Sequence, residues 1–181
     1  MLELVIPAVE YWDEVNEEFV TKEKEQVLEL EHSLISISKW ESKWNKPFLT
    51  KDEKTVEETI DYIRCMTLTK NVDPSVYSRL TNEHIKQVIE YIDAPMTATT
   101  FNEHGPQKIN REIITSELIY YWMVALQIPF ECQKWHLNRL LTLVRVCNIK
   151  NRPAKKMSRG EIMRNNAALN AARRKQFNSK G

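Results

Sequence analysis

The two residues best spaced for chemistry are Cys132 and His136, which lie four positions apart in a segment with helical spacing of apolar residues. On an α-helix this spacing places both side chains on one face, where they could share a soft metal ion such as zinc. They could equally form a cysteine nucleophile activated by a histidine. Two ligands do not complete a metal site, and no acid is placed to orient the histidine. The sequence therefore predicts ordinary packing for this pair, with no metal, no cofactor and no catalytic residue.

Other catalytic patterns are equally incomplete. Carboxylate pairs such as Glu57 and Asp61 fall where solvated helix faces are expected. The three glycines stand at positions 105, 160 and 181, so they cannot form the phosphate-binding loop of a dinucleotide or P-loop site. Five aromatic residues could stack on nucleic-acid bases, but their helical spacing favours a core; they are Trp40, Trp44, Tyr121, Trp122 and Trp135. Because the sequence lacks these phosphate-binding motifs, it excludes nucleotide hydrolysis by them. We expect a protein that is not an enzyme.

The apolar residues of the segment 109–150 predict a helical hairpin that forms the largest part of the core. Pro129 lacks a backbone donor and disfavours helix before it, so the chain is expected to turn there and the two apolar faces to close on each other. The predicted faces are Ile114, Leu118, Tyr121, Trp122, Ala125 and Leu126 on the first helix, and Leu137, Leu140, Leu141, Val144 and Asn148 on the second. We expect this hairpin to pack on Trp40, Ile60 and Ile89.

The first 31 residues predict a small antiparallel sheet. Apolar and polar residues alternate near residues 2–6 and again near 26–31, which is the pattern of half-buried strands. The polar stretch between them predicts a hairpin arm or an exposed loop, in which Phe19 and Val20 can form a short extra strand. A two-stranded sheet is marginal alone, so its apolar face must lie on helices.

Capping residues locate three helices between the sheet and the hairpin. Ser33 is expected to cap a helix that ends near Asn45, before Pro47. The run Thr50 to Glu53 matches a capping box and predicts a helix from about Lys51. A short turn is expected at 75–80, and a helix capped by Thr81 is expected to end at Ile92. The residues predicted to point inward are Val56, Ile60, Ile63 and Met66 on one helix, and Ile85, Val88, Ile89 and Ile92 on the next.

The segment 94–110 is predicted to be the principal internal loop, with a possible short strand at 97–101 from its β-branched residues. The predicted fold class is therefore α+β and predominantly α-helical, with a small N-terminal antiparallel sheet packed on a helical bundle and a basic C-terminal helix. The predicted domain is 1–149, comprising a β-hairpin region at 1–31 and a helical core at 33–149. Residues 150–181 are predicted to be a basic linker and a helical arm.

The length of 181 residues and the amino-acid composition agree with a protein that stays inside the cell. No uncharged run is long enough to cross a bilayer, and the beginning of the chain lacks the pattern of a signal peptide. Three cysteines without a CxxC pair argue against a disulfide framework. We therefore expect no membrane contact and a location in the cytoplasm.

The charge is distributed unevenly although its total is only +1. Residues 150–181 contain ten Lys and Arg and one Glu, whereas the other 149 residues carry an excess of eight acids. A second capping box, Ser158 to Glu161, predicts a helix from Arg159 that can run to Phe177. Such a basic segment seeks an acidic partner, a nucleic acid or the acidic body itself. The candidate partner-binding residues are Lys155, Lys156, Arg159, Ile162, Arg164, Leu169, Arg173, Arg174 and Lys175.

Several runs of the sequence resemble the tail assembly chaperones of long-tailed bacteriophages, which are encoded upstream of the tape-measure gene. They are EHSLISISKWESKWNKPFL at 31–49, ETIDYIRCMTLT at 58–69, ELIYYWMVALQIPFECQKWHLNRLLTLVRVCNIKN at 117–151 and KKMSRGEI at 155–162. The resemblance implies a non-enzymatic protein that binds the tape-measure protein in the host cytoplasm while the tail is built. It also implies absence from the finished virion, contacts with other tail proteins and, in many members, a longer form made by frameshifting.

Two alternatives and the possibility of self-association stay open at this stage. The basic arm also suits a nucleic-acid-binding regulatory protein, whose Lys and Arg side chains would contact phosphates. A structural tail or head–tail component that remains in the virion would share the same overall composition. A chaperone is favoured because a long helical client needs amphipathic helices or grooves to bind, and this chain is predicted to supply both.

Overall fold

The computed structural model describes residues 1–14, 16–101, 112–151 and 158–178, and within these ranges it confirms the predicted α+β, predominantly helical class. The strands are β1 (Leu2–Ile6), β2 (Val9–Asp13), β3 (Glu18–Glu23) and β4 (Gln26–Leu30). The α-helices are α1 (Leu34–Trp44), α2 (Val56–Met66), α3 (Asn82–Asp93), α4 (Ser116–Ala125), α5 (Leu137–Lys150) and α6 (Arg159–Phe177). Two 3₁₀ helices cover Pro74–Arg79 and Phe130–Lys134. None of the helices in these ranges is long and apolar enough to cross a membrane.

The predicted N-terminal sheet is confirmed, because β1 and β4 pair antiparallel with Leu2 opposite Leu30. Leu4, Ile6, Leu28 and Leu30 are fully buried while their neighbours along each strand are exposed, as alternation requires. The sheet is joined to the end of α2 by two backbone hydrogen bonds at the end of β4. The amide of Glu31 donates to the carbonyl of Met66, and the amide of Leu68 donates to the carbonyl of residue 29.

The polar stretch between β1 and β4 forms a second antiparallel pair, β2 with β3. We call residues 9–23 the β2–β3 arm. Of the two alternatives predicted for this stretch, the structure has the hairpin arm, and the extra strand predicted around Phe19 and Val20 is β3. Trp12 lies opposite Phe19 and Tyr11 opposite Val20.

The core is organised around α1 and not around the segment 109–150, which corrects our prediction. Ser33 caps α1 in a capping box with Ser36, and the helix ends at Asn45 in a left-handed conformation, as predicted. Leu34, Ile37 and Trp40 are buried. α1 packs on α2, on α4 and on the 3₁₀ helix Phe130–Lys134, so it has neighbours on several sides.

The start of α2 differs from the prediction by five residues. The capping box that forms is Thr55 with Glu58, not Thr50 with Glu53. The hydroxyl of Thr50 instead donates to the carbonyl of Pro47, within the loop after α1. Starting at Val56 leaves that side chain exposed, contrary to prediction, whereas the predicted inward residues Ile63 and Met66 are buried.

The predicted helical hairpin also needs correction. The first helix buries Ile119 and Met123, and Tyr121 is 66% exposed, so its buried face is rotated from the predicted one. Leu118 and Trp122 are only partly buried. α4 packs on α1 and does not close face to face on α5, because the chain between them forms a 3₁₀ helix after Pro129.

Other predictions about the same half of the chain had mixed outcomes. On α5, Leu137, Leu140 and Val144 are buried as predicted, while Asn148 is exposed. On α3, Thr81 is the cap as predicted; Val88 and Tyr91 are buried, but Ile89 is 48% exposed and does not join the core. Residues 97–101 form no strand. The rest of the predicted loop, residues 102–110, lies outside the described residues.

Glu41 connects three parts of the fold through one buried carboxylate. Its Oε1 accepts a hydrogen bond of 2.7 Å from the amide of Phe48, and its Oε2 accepts one of 2.8 Å from the amide of Ser116. Ser116 begins α4, so its amide has no partner within that helix. The carboxylate of α1 therefore ties down both the loop that follows it and the start of α4.

By clustering of contacts the chain divides into two compact units, Met1–Asn148 and Ile149–Gly181. The first contains the sheet, the β2–β3 arm and the core. The second contains α6. The predicted boundary at 149/150 stays a prediction about independent domains, because compactness alone does not show that either part folds by itself.

Leu140→Ala should lower the free energy of unfolding by about 2 to 5 kcal/mol, because truncating a fully buried leucine leaves a cavity. Urea unfolding followed by tryptophan fluorescence measures this change. The matched control is Leu68→Ala, since Leu68 is 53% exposed. Equal midpoints for the two variants would show that Leu140 does not belong to the core.

Glu41→Gln should destabilise the protein by about 1 to 3 kcal/mol, because one acceptor oxygen becomes an amide group that faces a backbone donor. Glu90→Gln, at an exposed position of α3, is the control and should change stability by less than about 0.5 kcal/mol. If the two substitutions have the same effect in urea unfolding, the carboxylate is not the connection we describe.

Candidate partner-binding surface

Helix α6 carries most of the residues predicted to bind a partner. Its start is the predicted one: Ser158 Oγ accepts from the amide of Glu161, and the Glu161 carboxylate accepts from the amide of Ser158. The hydrogen bond from the Ser158 amide lowers the pKa of Glu161 below its ordinary value. Arg174 and Lys175 lie in the last turn, where positive charge favours the helix dipole. The predicted residues Lys155 and Lys156 lie outside the described residues.

None of the residues of α6 is buried, and several of the exposed ones are large and apolar. Ile162, Leu169 and Phe177 are separated by about two helical turns each, so they share one side of the helix. Phe177 is 72% exposed, and Met163 is exposed beside this row. Helical spacing also places Arg159 and Arg173 on that side. α6 therefore presents apolar contact area and positive charge together, in an arrangement suited to a partner that is acidic and partly apolar.

The pair Cys132 and His136 does not form the arrangement considered from sequence. Cys132 lies in the 3₁₀ helix and His136 precedes α5, so the two do not share one face of an α-helix. Burial, followed by the nearby Glu131, raises the pKa of the Cys132 thiol. Nε2 of His136 lies 3.0 Å from the carbonyl oxygen of Tyr91, and the amide of Asn138 donates to Nδ1. Across the described ranges, no three His, Cys, Asp or Glu residues are grouped to hold a metal.

His136 instead meets His32, a contact that the sequence analysis missed. The two rings lie edge to face with centroids 5.0 Å apart, and both are buried. His32 Nδ1 lies 2.5 Å from the Tyr62 hydroxyl. Burial, reinforced by His136, lowers the pKa of His32 to about 3, and burial lowers the pKa of His136 as well. Both imidazoles are therefore neutral near neutral pH.

The backbone around the two histidines shows that they form a structural joint. The amide of Leu137 donates to the carbonyl of His32 at 2.7 Å, which connects the start of α5 to the residue before the α1 cap. The Tyr91 hydroxyl donates a 2.7 Å hydrogen bond to the Glu31 carboxylate, which holds Tyr91 in place beside this joint. Burial raises the pKa of the Tyr62 hydroxyl, so it too stays neutral. No sequence pattern indicated this joint, because its members are far apart along the chain.

Buried carboxylates are likewise engaged. Asp61, which was expected on a solvated face, is buried. Burial alone would raise its pKa, but hydrogen bonds from Lys43 and Trp44 lower that pKa on balance. Glu58 closes the cap of α2 and pairs with Lys46 at 2.6 Å. A surface cleft of about 460 Å³ is lined in part by Lys43, Asp61 and Arg64. Asp61 is already hydrogen-bonded by Lys43 and Trp44, so we assign no chemistry to the cleft.

The β2–β3 arm is a second exposed surface, which the sequence analysis did not identify as a site. Trp12 is 49% exposed and Phe19 70% exposed, and their rings meet edge to face at 5.0 Å. Tyr11 and Val9 are exposed as well. The only sequence signals were the apolar pairs Tyr11–Trp12 and Phe19–Val20, which stand on either side of an acidic turn.

Comparison with known proteins yields no assignment. No protein family, no characterised protein and no solved structure matches this chain. We therefore infer the function from the surfaces described above and from the resemblance of sequence runs. Of these surfaces, α6 and the β2–β3 arm have exposed apolar side chains next to charge of a single predominant sign, positive on α6 and negative on the arm.

The histidine joint should make stability depend on pH. The folded pKa of His32 lies below the ordinary value of 6.5, so the unfolded chain binds more protons. The stabilisation is complete above that value and declines as the pH falls toward 3. Between about pH 7 and pH 5 the free energy of unfolding should fall by about 2 kcal/mol from His32 alone.

His32→Asn should remove this part of the pH dependence while leaving a polar atom near Tyr62. Urea unfolding at a series of pH values measures it. His84→Gln is the control, because His84 is partly exposed and a glutamine keeps its capping contact with Thr81. Identical pH profiles for the wild type and His32→Asn would contradict a neutral, buried His32.

Proposed function

We propose that this protein is a tail assembly chaperone of a long-tailed bacteriophage, which binds the tape-measure protein while the tail is built. Two kinds of observation support the proposal. The sequence runs at 31–49, 58–69, 117–151 and 155–162 resemble that family. The exposed faces of α6 and the polar joints of the core suit a binding protein, and we propose that no enzymatic step is involved.

The single observation that carries the proposal is the exposure of α6. No residue of this 19-residue helix is buried, so the helix gains little from tertiary packing, which supplies most helical stability in proteins. Ile162, Leu169 and Phe177 are nevertheless placed on one side. A partner that covers this side would both bury them and stabilise the helix. Helix formation and client binding would then be coupled.

A tape-measure protein is long and helical, and an amphipathic helix can pack along it. Apolar contacts from α6 would cover client residues that are otherwise exposed before the tail tube encloses them. Ionic contacts from Arg159 and Arg173, which lie on that side of α6, would add attraction that salt weakens. Contacts of this modest size are reversible, which a chaperone needs when the tube displaces it. We accordingly propose action in the host cytoplasm and absence from the finished virion.

The alternative of nucleic-acid binding is supported by charge. α6 carries five Lys and Arg and one Glu, and residues 150–181 carry ten and one. A basic helix of this kind can contact a phosphate backbone. The two functions differ in what they require of α6, because phosphate contacts need the basic residues but not the apolar ones.

Deletion of residues 158–181 should reduce capture of the tape-measure protein by about tenfold or more, because it removes the apolar and basic contacts together. Pull-down of the tape-measure protein, with quantitative detection, measures the loss. The core lies in Met1–Asn148 and should keep its far-ultraviolet circular dichroism and unfolding midpoint. Equal capture by both forms would contradict binding through α6.

A paired variant separates the client from nucleic acid. Ile162→Ser with Leu169→Ser should weaken client capture while leaving any shift of duplex DNA or RNA unchanged, since no positive charge is lost. Ala167→Ser with Ala171→Ser is the matched control on the same helix and should change neither. Loss of a nucleic-acid shift in Arg173→Ala with Arg174→Ala, together with unchanged client capture, would support the regulatory alternative. Mass spectrometry of finished particles tests whether the protein remains in the virion.

A further inference from the structure

The β2–β3 arm exposes apolar side chains on both of its faces. Trp12 and Phe19 form a cross-strand pair on one face, and Tyr11 with Val20 forms a pair on the other. Phe19 is 70% exposed and Trp12 and Tyr11 are each 49% exposed. Exposed aromatic residues concentrated on so small an element mark a contact surface rather than scattered surface positions.

The arm is anchored to the rest of the protein at its base, whereas its aromatic side chains are largely exposed. The guanidinium of Arg79 donates to the carbonyl of Pro7 at 2.9 Å, and its Nε lies 2.7 Å from the Glu23 carboxylate. The Arg79 side chain is only 14% exposed, so this anchor is well shielded from water. A two-stranded ribbon is marginal alone. The anchor therefore fixes the direction of the arm and leaves its aromatic pairs available to another molecule.

The charge of the arm determines the kind of partner that fits. Residues 9–23 contain six acidic residues and one lysine. Two arms pairing edge to edge would bring these acids together, and like charges on an edge strand oppose such pairing. A partner should instead be basic and should carry apolar side chains to cover the aromatic pairs. The chain itself contains one segment with this composition.

We propose that the β2–β3 arm of one copy binds the basic helix α6 of a second copy. α6 offers Ile162, Leu169 and Phe177 on the side where Arg159 and Arg173 also lie. The apolar residues of α6 can pack on the aromatic pairs of the arm, and its arginines can pair with the acids of the arm. The proposal does not depend on the identity of the client, but client and second copy would compete for the same helix.

The association of two copies should be reversible and sensitive to salt. Sedimentation velocity of the full-length protein over a range of concentrations measures it. In about 0.05 M salt the protein should associate as its concentration rises, and in about 0.5 M salt the dissociation constant should increase by about tenfold or more because the ionic contacts are screened.

Substitutions on the arm test the contact, and they alter exposed side chains outside the core. Trp12→Ser with Phe19→Ser should raise the dissociation constant by about tenfold or more. Val5→Ser with Val27→Ser is the matched control, because both valines are exposed on the neighbouring sheet. Far-ultraviolet circular dichroism and urea midpoints establish that each variant is folded.

Charge reversal tests both partners at once. Glu10→Lys with Glu14→Lys on the arm should abolish association, and so should Arg173→Glu with Arg174→Glu on α6. A protein carrying all four reversals should regain association, because the two surfaces are complementary again. The control for net charge is Glu3→Lys with Glu90→Lys, two exposed positions away from the arm.

Each outcome bears on the proposal. A wild-type protein that stays monomeric at low salt over the whole concentration range would overturn it. So would association that persists unchanged in the arm variants, since the contact would then lie elsewhere. If both double variants are folded and unable to associate, and the fourfold variant also fails to associate, the two surfaces do not bind each other. Restoration would establish the contact between copies.

Discussion

The burial of α1 is the constraint on which the rest of the core depends. Because α1 has neighbours on several sides, water does not supply hydrogen bonds to the polar groups near its ends. Other parts of the chain must therefore supply those hydrogen bonds. Near its start, the carbonyl of His32 accepts from Leu137, and Ser33 exchanges hydrogen bonds with Ser36. Near its end, Glu41 accepts from Phe48 and Ser116. The same bonds that satisfy α1 therefore position α4 and α5.

Several residues with catalytic potential take part in this satisfaction of polar groups within the core. His136 is engaged by Tyr91, Asp61 by Lys43 and Trp44, and the thiol of Cys132 is buried. A neutral imidazole and a paired carboxylate are well suited to joining elements of a core.

The sequence predicted the elements better than their packing. Alternation located β1 and β4, and the predicted caps Ser33, Thr81 and Ser158 located three helices. Two neighbouring boxes, Thr50 to Glu53 and Thr55 to Glu58, could not be separated by local pattern, because the choice depends on Pro47 and Lys46 in the loop nearby.

For α4, nearly every position is apolar, so periodicity could not tell that Ile119 faces inward and Tyr121 outward. The histidine joint could not be derived, since its residues are brought together only by the tertiary fold. A hairpin arm was one of the two alternatives predicted between β1 and β4, but the exposure of its aromatic side chains could not be read from the sequence. The candidate residues on α6 were readable because composition and a cap define them locally.

The hydrogen bond between Ser116 and Glu41 joins residues 75 positions apart, which has a consequence during synthesis on the ribosome. At about 5 to 20 residues per second, Glu41 emerges roughly 4 to 15 seconds before its second donor. During that interval the apolar side of α1 lacks α4, and the carbonyl of His32 lacks the amide of Leu137. The nascent chain must pass through this incompletely covered state each time it is made, so its yield in the cell depends on how quickly the later helices follow.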